Sequence, residues 1–268
     1  MLLIVSIARV TTSQPLRISF LDVGQGDAIL IQTPSGHDML IDGGPTNNVL
    51  TRLNEVMSYL DRDIDIVVAT HPDSDHVTGL IPVLEKYTAH HILTSGQESE
   101  TGIFKNVDEV IIKENVETRI AYQGDVIDFR DGVTAQVLHP LVGEKFKDTN
   151  AASVSLVLTY GSMSFLLTGD LPSTNEPLLI SSGLLPNHVT VYKAAHHGSK
   201  YSSGEQLLTY IKPEYAVISA GKDNTYGHPN SEAIERLQMY SKEILSTIDR
   251  GTITFITDGR SIEVESEK

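Results

Sequence analysis

Four potential metal ligands follow one apolar run of the sequence. In "VVATHPDSDHVTGL", residues 67–80, the side chains of His71, Asp73, Asp75 and His76 fall within six positions. Imidazole and carboxylate together suit zinc, manganese or iron, and two neighbouring ions need a dense ligand cluster of this kind. The alternative is a polar loop in which Asp75 only caps the following helix. The density of ligands favours a metal site.

Two later segments place further ligands at the ends of apolar runs. In "FLLTGDLP", Asp170 follows a glycine, where one carboxylate can bridge two ions. "VYKAAHHGSKYSS" contains His196 and His197, and Gly198 would let the backbone approach a ligand closely. Taken alone, each segment also fits a capped surface turn. The donors that follow and could hold a phosphate near the next helix are Ser199, Lys200, Ser202 and Ser203.

Three aspartates lie at the ends of the first predicted strands. We expect Asp22, Asp27 and Asp42 to orient the ligand imidazoles, since metal-binding histidines usually donate their second nitrogen to such a group. Turn capping beside the neighbouring glycines is an equal alternative for each of them taken alone.

The segment "GKDNTYGHPN", residues 221–230, is a loop between a predicted strand and a predicted helix. We expect Asn224 and Tyr226 to contact substrate, and His228 to contact a scissile phosphate or to protonate a leaving oxygen. The alternative is a helix-entry loop held by Pro229.

Such ligands need strands and helices that bring them together. The hydrophobic pattern predicts hairpins around Gly161-Ser162 and Asp258-Gly259, a buried strand ending at His71, and mostly strands between Ile103 and Leu138. Hairpins at both ends require antiparallel pairing, which favours two mixed sheets with helices outside over a doubly wound parallel sheet. The predicted helices are 46–60, 77–87, 203–211 and 231–240.

Composition excludes some classes of function but does not identify one. The chain has 268 residues, 40% of them hydrophobic and 21% charged, and no cysteine, which excludes disulfides and thiolate ligands. A net charge of −15 argues against a broad basic surface for duplex DNA. It does not exclude a nuclease, because bound cations supply positive charge where a phosphate sits.

Together these segments resemble the metallo-β-lactamase superfamily. "THPDSDH" is similar to its H-x-H-x-D-H signature, "TGD" to its bridging-aspartate motif and "HHGS" to its last histidine motif. The resemblance is closer to the C-terminal hydrolase domain of the ComEC competence proteins, through "FLDVGQGDAILIQTPSGHDMLIDGG", "NAASVSLVL" and "NTYGHPNSEAIERL" in the same order. It spans residues 17–259 and implies a four-layer αββα sandwich with two divalent metal ions at one sheet edge.

The resemblance also implies a role for each matching residue. His71 and Asp73 would bind the first ion, and Asp170 would bridge the two. The second ion would take Asp75, which also orients the nucleophile, and His76. One histidine of the pair would complete this second site, preferably His197, leaving His196 to face the substrate.

Two departures from the family pattern affect the first site. Asp73 stands where the family has a second histidine, and the resemblance aligns Asn150 with a further one, with His139 a less favoured substitute. An oxygen-rich first site shifts the preference from zinc towards harder ions such as manganese.

The implied reaction is hydrolysis by a hydroxide bound to the metals, with Lys200 or His228 stabilising developing charge. The leading hypothesis is a phosphodiesterase that cuts DNA, single strands in particular, during competence-related uptake, with no organic cofactor. The alternatives are a hydrolase of a small phosphoester, choline-phosphate ester, thioester or lactone, and a non-catalytic module of a channel assembly. A nuclease should carry cations on the rim of its site, for which the candidates are Lys193, Lys200 and Lys222.

The organisation along the chain is expected to be simple. We expect residues 16–268 to form one hydrolase domain, and residues 1–15 to be an extension or the stump of a membrane helix. A ComEC-like chain would lie in the cell envelope, outside the cytoplasmic membrane, with a membrane channel domain in cis or trans. A secreted or cytoplasmic location stays open, as does the oligomeric state.

Overall fold

The computed structural model describes residues 14–268, which form two mixed sheets. The first has the order β15-β14-β1-β2-β3-β4-β5-β6 and the second the order β13-β12-β11-β10-β9-β8-β7. The strands are β1 Leu16–Phe20, β2 Ile29–Gln32, β3 Asp38–Ile41, β4 Asp63–Ala69, β5 Thr88–Thr94, β6 Glu117–Ile120, β7 Val126–Asp128, β8 Val133–His139, β9 Ser155–Tyr160, β10 Met163–Leu167, β11 Val191–Lys193, β12 Tyr215–Ile218, β13 Glu243–Ser246, β14 Ile253–Thr257 and β15 Ile262–Ser266.

Helices cover the outer face of each sheet. Their bounds are α1 Asn48–Val56, α2 Ser74–Val77, α3 Leu80–Lys86, α4 Gly102–Lys113, α5 Glu176–Ser181, α6 Glu205–Ile211, α7 Ser231–Tyr240 and α8 Thr247–Arg250. One apolar cluster, which includes Phe20, Phe165 and Phe255, fills the space between the sheets. Each sheet also packs against its outer helices through one further apolar cluster. Because a sheet buried on both faces must be apolar on both, strands such as β4 are rich in hydrophobic residues, here with an unbroken run over 66–69. The predicted αββα sandwich is confirmed.

The topology brings several strand ends to one edge of the sandwich. Strands β3 and β4 are parallel in the first sheet, and β10, β11 and β12 are parallel in the second. Parallel strands end at the same edge, where their carboxyl-terminal loops meet. The loops that follow these strands begin at residues 42, 70, 168, 194 and 219.

The structure corrects two expectations about secondary structure. Residues 102–113 form helix α4, where strands were expected. Its buried Val107 and Val110 are three positions apart, and Thr101 caps its first turn by accepting from Phe104 N. This helical spacing and cap outweigh the strand preference of the β-branched residues in the segment. The helix expected over 77–87 is shorter, since α3 spans Leu80–Lys86 and Val77 ends the separate helix α2. Gly79, between them, packs against the backbone of Gly43, where a side chain has no room.

The predicted N-terminal extension and membrane-helix stump involve residues outside the described part of the chain. The expected extension, residues 1–15, lies almost wholly outside the described residues, so the domain boundary stays a prediction. Within residues 14–268, no helix has the length and apolar character needed to cross a membrane.

Candidate metal centre

Four side-chain atoms from different strand ends converge at the shared edge. The Nε2 atoms of His76 and His197 lie 3.3 Å apart, and each lies 3.3 Å from Oδ2 of Asp170. Oδ2 of Asp75 is also 3.3 Å from Nε2 of His197. We call these four residues the second site. His76, Asp170 and His197 are buried, and Asp75 faces the adjoining cavity.

The mutual 3.3 Å spacing of the His76, Asp170 and His197 atoms fits one divalent ion. Two ligands held at 2.0–2.1 Å by a tetrahedral zinc stand roughly 3.3–3.4 Å apart. Oδ1 of Asp170 is buried and has no hydrogen-bond partner among residues 14–268, so this oxygen is available to a divalent ion. Nitrogen and oxygen donors in this combination suit zinc, manganese or iron.

Each imidazole of the second site is held from behind through its Nδ1 atom. Nδ1 of His76 lies 2.7 Å from Oδ2 of Asp42, whose other oxygen accepts from the backbone N of Thr70. Nδ1 of His197 lies 3.0 Å from the carbonyl oxygen of Ser219 and 3.4 Å from Oδ1 of Asp27. An Nδ1–H that donates to these oxygens leaves the Nε2 lone pair for a metal.

The expected cationic rim residue Lys193 lies instead inside the site. Its side chain is fully buried, and its ammonium contacts Oδ2 of Asp27 and lies 3.7 Å from Oδ1 of Asp170. The prediction that Lys193 lines a DNA groove is therefore wrong. A lysine buried among carboxylates balances their charge, which favours the ionised form of both aspartates.

The first site, His71, Asp73 and Asn150, is looser. Nε2 of His71 is buried without a hydrogen-bond partner in the described chain, and the nearest carboxylate oxygen, on Asp73, is 3.7 Å away. The Asp73 side chain is 39% exposed. Asn150 begins a short 3-10 turn, residues 150–152, and its buried Oδ1 also lacks a partner within residues 14–268. His139 contacts Ser153 O and Glu144.

Burial and neighbouring charge set the protonation of these histidines. Burial alone lowers the pKa of His76 and His197, but the carboxylate of Asp170, with Asp42 beside His76 and Asp27 beside His197, raises both pKa values well above the ordinary range. Burial and the neighbouring His76 lower the pKa of His71 to about 3, so His71 is neutral. A metal ion at Nε2 of either ring would therefore compete with a proton.

Backbone strain accompanies the histidine pair. His196 and His197 both have positive φ, at 51° and 54°, a conformation that costs energy for residues other than glycine. Gly198 follows with φ 80°, and a Cβ there would come within 2.7 Å of Pro229. The strain aims adjacent side chains in different directions. His197 points into the second site, while His196 is 27% exposed, with Nε2 3.8 Å from Asp170.

A cavity of about 310 Å³ opens onto the second site. Its chemistry is acidic and imidazole-rich, and no lysine or arginine of the described chain lines it. The lining residues are Gln25, Pro72, Asp73, Ser74, Asp75, Thr101, Ile103, Asp170, His196, His197, Tyr226 and His228.

Comparison with known proteins identifies the family. The profile of the metallo-beta-lactamase superfamily matches residues 21–222, which is most of the chain and includes all of the ligands above. The chain belongs to the metallo-beta-lactamase superfamily. The predicted resemblance to competence proteins is also confirmed. Competence protein ComA of Neisseria gonorrhoeae is 30% identical over 237 residues, covering 87% of this chain and 31% of that protein.

Two curated relatives share most of this superfamily domain. ComE operon protein 3 of Bacillus subtilis (strain 168) is 30% identical over 260 residues, covering 89% of this chain and 32% of that protein. Recombination protein 2 of Haemophilus influenzae is 29% identical over 242 residues, covering 88% of this chain and 28% of that protein. The chain thus spans about a third of the length of these relatives.

Solved structures of the superfamily share the fold at low sequence identity. YhfI from Bacillus subtilis superimposes with a TM-score of 0.59 at 10% identity, covering 91% of this chain and all of that chain. CmlA, a diiron β-hydroxylase from Streptomyces venezuelae, gives 0.57 at 12% identity, covering 92% of this chain and 55% of that chain. These likenesses support the architecture alone.

Two further expected site residues line the cavity, and a third shapes the loop that carries them. Tyr226 and His228 line the cavity with their rings stacked 6.2 Å apart, and His228 lies 5.2 Å from His196. Asn224 is occupied within its own loop, since its Nδ2 donates to Gly221 O and its Oδ1 accepts from the N–H groups of residues 226 and 228. Asn224 therefore shapes the loop that presents the two rings.

Three expected residues are not brought to the ligands. Ser199 is buried, and its Oγ accepts from the backbone N of Tyr201. Lys200 is exposed, with its ammonium 5.2 Å from the Tyr201 ring centroid and outside the cavity lining. Asp22 accepts from Gly24 N and lies 3.9 Å from Lys268 Nζ, so its carboxylate contacts no ligand imidazole among the described residues. The sequence reasoning missed Gln25, whose only signal is its place between two glycines.

Proposed function

We propose that this domain is a metal-dependent phosphodiesterase that cuts DNA, single strands in particular, in competence-related uptake. The observation that carries the hydrolase part is the convergence of His76, Asp170 and His197 at mutual spacings of 3.3 Å, with Asp75 3.3 Å from His197. The DNA part rests on the competence-protein relatives, which are about three times longer than this chain. The proposed location is the extracytoplasmic side of the cell envelope, beside a membrane channel domain in cis or trans.

Two divalent ions, manganese or zinc, are proposed per chain. His71, Asp73 and Asn150 would hold the first ion, Asp75, His76 and His197 the second, and Asp170 would bridge them. Ions held there would supply Lewis acidity towards a phosphoryl oxygen and would favour deprotonation of an attacking water. An oxygen-rich first site favours manganese at that position.

The chain's own groups position the reactants. Asp42 and the carbonyl oxygen of Ser219 fix the ring planes of His76 and His197 through Nδ1. Asp75 reaches the cavity from the N-terminal turn of α2 and is placed to orient an attacking water. The pKa of His228 is lowered by burial and by the neighbouring His196, so its ring is neutral near pH 7. His196 and His228 then offer neutral imidazoles to a substrate or leaving oxygen.

A second candidate follows from the cavity lining. No lysine or arginine of the described chain lines the cavity, and Lys200 and Lys222 are exposed on the loops near it. A small phosphoester, such as a choline-phosphate ester, needs fewer cationic contacts than a polynucleotide. This lining therefore favours a small phosphoester as the alternative substrate.

A nuclease assay tests the proposal. Metal-stripped protein would be reloaded with Mn²⁺ or Zn²⁺ and given single-stranded DNA, duplex DNA or bis(p-nitrophenyl) phosphate. Asp75→Ala would run beside Asp249→Ala, an exposed aspartate on α8 that serves as the matched control. We expect metal-dependent cleavage of single strands, lost in Asp75→Ala and kept in the control. Cleavage of the small diester alone would replace DNA by the second candidate, and cleavage of neither would contradict the enzyme assignment.

A further inference from the structure

Gln25 is a polar side chain at the metal site that the mechanism above does not use. It lies in the turn "GQGD", residues 24–27, between β1 and β2. Its side chain lines the same cavity as Asp75, Asp170 and His197. The turn that carries Gln25 also carries Asp27, which contacts Lys193 and His197 behind the second site.

The orientation of the Gln25 amide is fixed by the backbone of the facing loop. The N–H of Gly221 donates to Oε1 of Gln25 at 3.2 Å. Because a backbone N–H can only donate, the amide oxygen has to face Gly221, and the NH₂ group has to face away from it. Asn224 holds Gly221 from the other side, with Nδ2 2.7 Å from its carbonyl oxygen.

Close backbone packing keeps the turn in register with the metal ligands. Gly26 has φ 118°, and a Cβ at this position would clash with the carbonyl oxygen of Asp75. A Cβ on Gly221 would lie 2.7 Å from the backbone N of Gln25. Both glycines therefore allow contacts that no other residue permits, and they fix the Gln25 amide relative to Asp75.

The NH₂ group of Gln25 lacks an acceptor. Its Nε2 atom is buried and has no hydrogen-bond partner within residues 14–268. Buried amide donors are normally paired, so an unpaired one at a cavity wall is suited to a ligand that brings its own acceptor. The other amide atom is already used by Gly221, which leaves Nε2 as the free end.

The chemistry of the cavity indicates which acceptor this is. The other polar lining consists of carboxylates, imidazoles and the hydroxyl groups of Ser74, Thr101 and Tyr226, with no lysine or arginine of the described chain among them. An anionic oxygen that enters the cavity therefore needs the metal ions and neutral donors, and a side-chain amide stays neutral at every working pH.

We propose that Nε2 of Gln25 donates a hydrogen bond to a non-bridging oxygen of the phosphodiester substrate. The proposal rests on the function proposed above, and it assigns the substrate contact to the "GQGD" turn. A preorganised amide costs no reorientation when the substrate binds, so the contact contributes to the transition state as well as to binding.

Variants of Gln25 test the proposal in metal-loaded protein. Gln25→Ala removes both ends of the amide, whereas Gln25→Glu keeps an oxygen for Gly221 N–H and removes the donor. Gln238→Ala, an exposed glutamine on α7, is the matched control. Two quantities would be measured on each: kcat/KM for bis(p-nitrophenyl) phosphate, and the Kd of inorganic phosphate by calorimetry. Zinc content and thermal unfolding would be recorded in the same samples.

We expect both Gln25 variants to weaken phosphate binding and kcat/KM by about 10- to 100-fold, the range for a hydrogen bond to a charged oxygen. Zinc content and the control should be unchanged. Wild-type behaviour of Gln25→Glu beside an impaired Gln25→Ala would overturn the proposal, because Gln25 would then act only by holding Gly221.

The same samples separate this proposal from the proposed function. Absence of diester hydrolysis by the wild type contradicts the phosphodiesterase assignment, while phosphate affinity still decides the role of Gln25. Phosphate binding that is equal in wild type and Gln25→Ala, or absent from metal-loaded wild type, overturns the Gln25 contact even if the diester is hydrolysed.

Discussion

The two proposed metal positions differ in how completely the fold builds them. At the second site, His76, His197 and Asp170 are buried, and their ligand atoms are already 3.3 Å apart. At the first site, His71 is the one imidazole that the described residues supply, and its Nε2 lies 3.7 Å from Asp73. Asn150 offers a neutral amide where the family has an imidazole.

The difference follows from the elements that carry the ligands. Asp170 and His197 follow parallel strands of one sheet, and the rings of His76 and His197 are each held through Nδ1. Asp73 stands at the exposed start of a one-turn helix, and Asn150 follows a long loop after β8. We therefore expect a tight second site and a weak first site, since ligands that are held in place lose less entropy when they bind.

The largest expected effect separates the bridging aspartate from the exposed one. Asp170→Ala should lower metal-dependent kcat/KM at least about 1000-fold, because both ions lose a ligand. Asp73→Ala should cost roughly 10- to 100-fold, since only the weaker site is affected. Initial rates on a small phosphodiester, with added metal varied, would measure both. Equal losses in the two variants would contradict the difference between the sites.

The next effect concerns the pH dependence of stability that arises from Glu176, which contacts the loop after the histidine pair. Glu176 on α5 is buried and accepts from Gly204 N in the loop that follows His197, and burial raises the pKa of its carboxyl from 4.5 to about 7. The folded protein therefore holds this proton more tightly than the unfolded chain. The resulting stability is present below pH 4.5 and is lost as the pH rises through 7, by up to about 3 kcal/mol.

Glu176→Gln should remove most of this pH dependence, because glutamine keeps an acceptor for Gly204 and does not ionise. Urea unfolding at pH 5 and pH 8 would measure the change, with exposed Glu235→Gln on α7 as the control. A wild-type pH dependence in Glu176→Gln would show that another group carries it.

A third effect tests whether held imidazoles explain the tight site. Asp42→Asn weakens the acceptor for His76 Nδ1, so we expect a 10- to 100-fold loss of zinc affinity at the second site. Asp65→Asn is a matched control, since Asp65 is a buried aspartate 3.3 Å from His37, remote from the metal ligands. Competitive titration against a chelator would measure both. Similar losses in the two variants would indicate a general effect on folding.

The smallest expected effect is a gain of zinc affinity at the first site, which would reduce its difference from the second. Asp73→His restores the second histidine of the family signature, so the first site should gain zinc affinity, by roughly tenfold. The second site should keep its affinity. Zinc titration of metal-stripped protein would resolve the two sites, and a weaker or unchanged first site would show that position 73 does not limit it.

The sequence predicted the parts of this account that depend on local pattern. Buried runs that end in His71, Asp170 and His197 identified the strand ends, and the hairpins at Gly161 and Asp258 indicated antiparallel pairing. The residues that were missed or misplaced depend on long-range contacts. In the sequence, Lys193 cannot be told from a surface lysine. In the fold, Lys193 contacts Asp27, which is distant in sequence. Gln25 gains its meaning only from the backbone N of Gly221.

The most direct test of the central claim is a zinc titration of metal-stripped protein, by calorimetry with elemental analysis, for wild type and His197→Ala. The account predicts one tightly held ion per wild-type chain, a second that binds more weakly, and loss of the tight ion in His197→Ala. A tight ion that survives in His197→Ala, or a wild type that retains none, would contradict it.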